Sequence, residues 1–338
     1  MHKITRLPLH NGKAPRWLFS RMKKLGYEIS IVIIDEFGAN ELLRRLTDPN
    51  WFQALACTLG YDWHSSGTTT VTMAALKEVL NSSKEIFIAG GKGKAGINTP
   101  NEIREGSEMI NIDTEHYIKI SKLAAKIDSA LIFDNLSIYH HNFLFTKDKW
   151  GVIQQGMLND SAYRFQWFSD FVNEKDIANE PHTSIYGISR ETLDLTYKEN
   201  KELRDKSVDA IYEIKTYPNR HYIIKGIDIS KRGLETIKKA QEIEPKNFNE
   251  LLEIKGIGRE TIKSIALISN LIYGTKLAYR DPITFSYNVG GKDGIPYPIN
   301  KRHYDSIIEE MKLIIDKAHI DNYEKYIALK QLNKFIES

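Results

Sequence analysis

The sequence predicts an α+β protein, mostly helical, with a central antiparallel β region and a helical C-terminal part. Three observations lead there. Apolar residues recur at three- and four-residue spacing through residues 15–80 and again through 248–273. Residues 137–157 instead carry two apolar runs around Thr146-Lys147-Asp148-Lys149, the pattern of a β-hairpin. Near the C-terminus, Gly256-Ile257-Gly258 joins two helical segments.

In chain order, Pro15 suits the first turn of a helix through Trp17, Leu18, Met22 and Leu25. A second helix is expected over 29–37, and a third from about Asn40 to just before Asp48-Pro49. Residues 51–59 are apolar on several faces, so they are expected to be buried, with Cys57 as a core residue. A loop carrying His64 precedes a helix that ends near Leu80. A strand at 85–89 leads into Gly90-Gly91-Lys92-Gly93-Lys94, which lacks the spacing of a phosphate-binding P-loop. A helix is expected over 113–125 and a strand over 128–134. From Ser161 onward the chain reads as helical, apart from a strand at 221–227. These elements divide into an N-terminal helical region (1–84), a central β-containing catalytic region (85–185) and a C-terminal helical DNA-binding domain (186–338).

A length of 338 residues allows two or three domains. No apolar run approaches the roughly 20 residues of a membrane helix, and the N-terminus lacks the apolar segment of a secretory signal. A cytoplasmic protein without a membrane partner is expected. The single cysteine excludes an internal disulfide and a multi-cysteine metal site. Nothing calls for a cofactor or a metal. The net charge of +3 is modest, so local clusters of cations decide whether a polyanion is bound.

The sharpest cluster surrounds the glycine turn. Leu251, Leu252 and Ile254 give one helix an apolar face, and Ile262, Ile265, Ala266, Ser269, Ile272 and Tyr273 give one to the next. Gly256 and Gly258 can take positive φ and admit a ligand close to the backbone. The first N–H groups of the second helix then favour an anion. Lys255, Arg259 and Lys263 add charge around them, and together these groups suit a phosphate and read no bases. The pattern resembles the helix-hairpin-helix (248–273) of DNA glycosylases, ligases and nucleases. In the endonuclease III-like glycosylases an aspartate that assists base removal follows some twenty residues later; here Asp281 lies 23 positions after Gly258 (281 − 258). Bifunctional members carry a lysine two residues after the second glycine, where this sequence has Glu260.

Over most of residues 7–300 the chain resembles the family known as domain of unknown function 763, of archaea and some bacteria. The residues that carry the likeness include Leu7-Pro8-Leu9-His10, Lys13-Ala14-Pro15-Arg16-Trp17, Asp62-Trp63-His64-Ser65-Ser66-Gly67, Lys126-Ile127-Asp128-Ser129, Tyr139-His140-His141, Gln154-Gln155-Gly156-Met157, Glu180-Pro181-His182 and Gly290-Gly291-Lys292-Asp293-Gly294. The resemblance implies an archaeal DNA-repair glycosylase with lyase activity.

Polar residues inside apolar strands mark the candidate site. Pairing Phe145 with Trp150 also pairs Phe143 with Val152, His141 with Gln154 and His140 with Gln155. His141 and Gln154 then share a face with Phe143 and Val152, while His140, Asn142 and Gln155 share the other with Leu144 and Ile153. Both faces are mainly apolar, so both are expected to be covered. A covered polar pair must find partners, and imidazole and amide edges suit base recognition. His140, His141, Gln154, Gln155 and His64 are the candidates. If Lys126–Asp134 is extended, Lys126, Asp128 and Asp134 share one face. Lys126 or Lys92 is the candidate amine for Schiff-base chemistry at C1′, with Asp128 or Asp281 stabilising positive charge. Lys292 extends the phosphate surface of Lys255, Gly256, Gly258, Arg259 and Lys263. The expected activity is that of a DNA glycosylase with AP-lyase activity on damaged or abasic double-stranded DNA, which must flip its base from the stack. Two alternatives stand beside it. One is a metal-dependent structure-specific nuclease using Asp128, Asp134 and His140. The other is a non-catalytic DNA-binding accessory protein.

Overall fold

A computed structural model describes residues 14–61, 66–159, 161–215, 222–224, 227–286 and 301–337. The chain begins with α1 (Arg16–Phe37), one continuous helix where the sequence suggests two. Gly26 sits inside it because a Cβ there would come 3.1 Å from Leu76, so the glycine serves packing and does not break the helix. Next come α2 (Ala39–Leu46) and α3 (Pro49–Thr58), whose start is fixed by Asp48 accepting from the backbone of Asn50 and Trp51. Almost all of α3 is buried, Cys57 included. α4 (Gly67–Leu80) completes this group.

The central elements are β1 (Phe87–Lys92), α5 (Lys94–Ile97), α6 (Thr99–Ile110), α7 (Thr114–Ala130), β2 (Ser137–Phe145), β3 (Trp150–Leu158), β4 (Ser161–Phe168) and β5 (His182–Gly187). The β2–β3 register is the one the sequence predicts: Phe145 opposite Trp150, His141 opposite Gln154, His140 opposite Gln155. Two expectations fail. Residues 161–168 and 182–187 form strands of the main sheet, not helix, and in the first Tyr163, Phe165 and Trp167 alternate with Ala162, Arg164 and Gln166 to show why. Residues 128–134 are not a strand: Asp128 lies in the last turn of α7, which runs five residues past the expected end at 125.

The chain continues through β6 (Thr192–Leu193), α8 (Lys201–Glu213), β7 (Tyr222–Ile224), β8 (Ile227–Ile229), α9 (Lys231–Ile243), α10 (Phe248–Glu253), α11 (Arg259–Tyr273), β9 (Tyr279–Arg280), β10 (Phe285–Ser286), α12 (Lys301–Lys317) and α13 (Asn322–Glu337). The described residues of the expected 221–227 strand form a two-stranded ribbon, β7 with β8.

The main sheet has the order β1-β2-β3-β4-β5-β10, antiparallel from β1 to β5, with β10 parallel to β5. Both its faces are covered. Ile88, Leu144, Ile153 and Phe168 pack with residues of α1–α4, α12 and α13. Phe87, Phe143, Phe145, Val152 and Trp167 pack with residues of α6–α8 and α9–α11. α12 and α13 therefore share one layer with α1–α4. Arg45, almost fully buried, ties α2 to α12 by pairing with Glu41 and with Glu310 at 2.5 Å.

The α10–α11 helical hairpin is fastened to α7 by cations. Lys126 Nζ donates to the carbonyls of Leu252 and Ile254, closing the C-terminal end of α10. Arg259 donates to the carbonyls of Ser129 and Leu136. Lys263 pairs with Asp134 at 2.6 Å. At the turn, Gly256 takes φ +103°, and a Cβ there would meet Thr236 Oγ1 of α9 at 2.9 Å. Gly258 is extended (φ −113°), so only one of the two glycines uses positive φ.

Lys126→Met removes a charged donor from two helix-end carbonyls. It is expected to lower unfolding free energy by about 1–2 kcal/mol in urea titration and to speed hydrogen exchange within α10. Unchanged stability and exchange would show that the hairpin is held by its apolar face alone.

Candidate functional site

Adjacent residues of an extended strand point to opposite faces, so Tyr139-His140-His141-Asn142 delivers polar groups to both sides of a sheet that has no wet side. The outcomes differ.

On the side of α7 the polar groups are satisfied by one another. Ser121 Oγ lies 2.8 Å from His141 Nε2, and His141 Nδ1 lies 2.8 Å from Gln154 Oε1. Gln154 Oε1 can only accept, so His141 carries its proton on Nδ1 and accepts from Ser121. Gln154 Nε2 donates to Asp128 Oδ2 at 2.5 Å, and Trp167 Nε1 donates to the same oxygen at 3.2 Å. His182 Nε2 reaches Asp128 Oδ1 at 2.6 Å. Asp128 is fully buried, and that burial pushes its carboxyl above the ordinary range against the pull of His182, Trp167 and Gln154. The relay joins α7, β2, β3, β4 and β5.

On the side of α3 and α4 lies a transverse row, one residue per strand: Lys92, His140, Gln155, Arg164, Tyr186. Asn142 follows His140 two positions on. His140, Asn142 and Gln155 are each 1% exposed. Asn142 Nδ2 donates to Ala89 O. Asn142 Oδ1, Gln155 Oε1 and both ring nitrogens of His140 make no hydrogen bond of full geometry, though the Asn142 side chain is near enough to favour a proton on His140. Arg164 donates to Gln53 Oε1 at 2.9 Å, and its guanidinium lies 4.8 Å from the Phe52 ring and 4.9 Å from that of Tyr186. Lys92 is exposed at the end of β1, opposite His140.

The structure brings His140, Gln155 and Lys92 together, and His141 with Gln154 and Asp128. It does not bring Lys126, Asp128 and Asp134 to one face. Lys126 is turned to α10, Asp128 is interior, and Asp134 meets Lys263 at the surface. Among the described residues no three histidine, cysteine or acidic side chains gather where they could hold a metal ion. Asp281 accepts from Ser189 and from the backbone of Ile283, shaping its own turn before Pro282. His64 and Lys292 lie outside the described residues. Sequence reasoning did not single out Arg164, Tyr186, His182, Trp167 or Ser121. The period-two pattern of 161–168 would have found the two on β4.

Burial, and next His141, lowers the His140 imidazole to about 3, and burial lowers that of His141 to about 4. Unfolded imidazoles titrate near 6.5, so the neutral buried forms stabilise the fold above that pH and lose the contribution as pH falls toward 4 and 3. Each gives up roughly 2 kcal/mol between pH 7 and 5. His141→Gln should therefore lose about 2 kcal/mol less unfolding free energy than the parent over that interval. Equal losses in denaturant titrations would exclude His141 as a source of acid sensitivity.

Compared with curated proteins and with solved structures, the chain shows no match to either. Comparison with protein families is positive: the family described as "Protein of unknown function (DUF763)" matches residues 3–299, and the chain belongs to it.

Proposed function

We propose that this chain is a DNA-repair enzyme. It grips a DNA backbone at the α10–α11 turn and acts as a glycosylase with AP-lyase activity through the amine of Lys92. The observation that carries the backbone contact is the placement of cations around the turn. Arg259 is taken up by the carbonyl of Ser129 and Lys263 by the surface carboxylate of Asp134, but Lys255 is exposed on the turn itself. Arg232, Thr236 and Lys239 fall along one stripe of α9, at i, i+4 and i+7, and Thr236 is the residue against which Gly256 rests. Arg232 and Lys239 thus flank the turn, roughly 10 Å apart along the helix, with Glu235 beside them. No carboxylate pairs with Lys255, Arg232 or Lys239 among the described residues. Gly258, which precedes α11, provides no side-chain cap, so the first N–H groups of the helix are available to a phosphate.

The choice of amine follows from hydrogen bonding. Lys126 donates to two carbonyls, which turns it toward α10 and away from a substrate, even though burial lowers its amine below the usual lysine range. Lys92 is exposed and stands beside His140 on the same strand pair. The two parts are near neighbours: Arg259 bonds Leu136, and four residues of chain, roughly 13 Å when extended, separate Leu136 from His140. A flipped nucleotide at Lys92 would keep its flanking phosphates within reach of the turn.

Borohydride added to the protein and an abasic-site duplex in EDTA is expected to trap a covalent adduct. Lys92→Ala should abolish the adduct and Lys126→Met should retain it. No adduct, with cleavage appearing only after Mg²⁺ or Mn²⁺ is added, overturns the lyase reading. Replacing Lys255, Arg232 and Lys239 together by alanine should weaken duplex binding at least tenfold and reduce the slope of log affinity against log salt by about 2–3. An unchanged slope would place the DNA elsewhere.

A further inference from the structure

We infer that His140, Asn142 and Gln155, at the edge marked by Lys92, form a binding site for a neutral, planar ring with N–H groups along its edge, the chemistry of a nucleobase. The inference rests on the DNA-repair reading above and deepens it by naming what the site takes.

The two faces of the β2–β3 pair form an internal comparison. On one, His141 and Gln154 have partners for both ring nitrogens and for the amide oxygen and nitrogen. On the other, the neighbouring His140 and Gln155 are equally buried, yet no hydrogen bond of full geometry reaches either His140 nitrogen, Gln155 Oε1 or Asn142 Oδ1, and the Asn142 side chain is only near enough to favour a proton on the His140 ring. Buried polar atoms without partners are rare because they have left water and gained nothing in return. Four such atoms on adjacent positions of two strands mark a place where partners come from outside the chain.

The open groups define the partner. Two are amide oxygens that only accept. A neutral imidazole adds one acceptor and one donor. The complement is a ligand with two or more N–H groups and one acceptor. Cations are disfavoured, because Lys92 and Lys77 face His140. Anions are disfavoured by the two amide oxygens. Flat groups continue the row, where the Arg164 guanidinium stacks on the rings of Phe52 and Tyr186.

The test uses the full-length protein with ¹⁵N-labelled histidine, its His140 signals assigned by His140→Gln. It is titrated at neutral pH with uracil, hypoxanthine, adenine and cytosine, and with ribose as a neutral non-planar control. The expected result is a saturable shift of the His140 ring nitrogens with at least one base and none with ribose. The affinity should fall at least tenfold in Asn142→Leu or Gln155→Leu, each checked for a parental melting transition. Should both variants fail to fold, the saturable His140 shift in the parent decides alone. The site is overturned if no base moves His140, if ribose moves it equally, or if a crystal structure soaked in the bases shows only fixed waters on these four atoms. Duplex affinity measured in parallel keeps the two readings apart. Intact salt-dependent binding without base binding overturns this site alone, and loss of duplex binding overturns the backbone contact.

Discussion

The sheet at the centre of this chain is dry on both sides, and most of its other features follow from that. A strand in such a sheet has no wet face on which to place a polar residue. Yet β2 carries Tyr139-His140-His141-Asn142 and β3 carries Gln154-Gln155 within otherwise apolar runs. His140, His141, Asn142, Gln154 and Gln155 lie where water cannot solvate them, so each is either bonded within the protein or leaves an open group. The main-chain ladder cannot absorb them, because its own N–H and C=O groups are already paired across the strands.

Asp128 shows how the chain solves the problem on one side. A buried carboxylate is costly unless donors surround it, and three do: Gln154, Trp167 and His182. Because they come from β3, β4 and β5, the carboxylate also fixes how α7 lies across the sheet. That placement matters at the surface, since α7 carries Lys126 and leads into the Ser129–Leu136 segment on which the α10–α11 hairpin rests. The orientation of the candidate DNA-contacting turn thus depends on a buried carboxylate of the same helix.

How much of this was legible in the sequence varies with the range of the cause. The β2–β3 register was legible because a short loop and a period of two fix it locally. The start of α3, capped by Asp48, is local as well. The strand β4 was legible but missed, its alternation masked by large aromatic residues. The extent of α7 was not legible, because Lys126 and Asp128 end that helix with partners more than twenty residues away in sequence. A pair spaced two apart looks like a strand face when its partners are unknown. In the helix, the same spacing sends Lys126 to the hairpin and Asp128 to the core. Of the site itself, the pairing of His140 with Gln155 was legible. The contrast between a bonded face and an open one was not, because it depends on Ser121, Trp167 and His182 arriving from elsewhere.

The same reasoning sorts the cations of the helical hairpin. By composition, Lys255, Arg259 and Lys263 are equivalent, three positive side chains around a glycine turn. Position on α11 separates them. Arg259 and Lys263 lie one turn apart, on a side that faces the end of α7, and they meet the carbonyls of Ser129 and Leu136 and the carboxylate of Asp134. Lys255 lies before the helix begins, exposed beside Gly256. Arg259 and Lys263 thus fasten the hairpin to the end of α7 from within the chain itself. The remaining positive charge comes from α9, brought alongside by the contact that requires glycine at 256, since any Cβ there would press on Thr236. Gly256 is thus needed for a helix–helix contact first. The access it gives to the backbone follows from that packing.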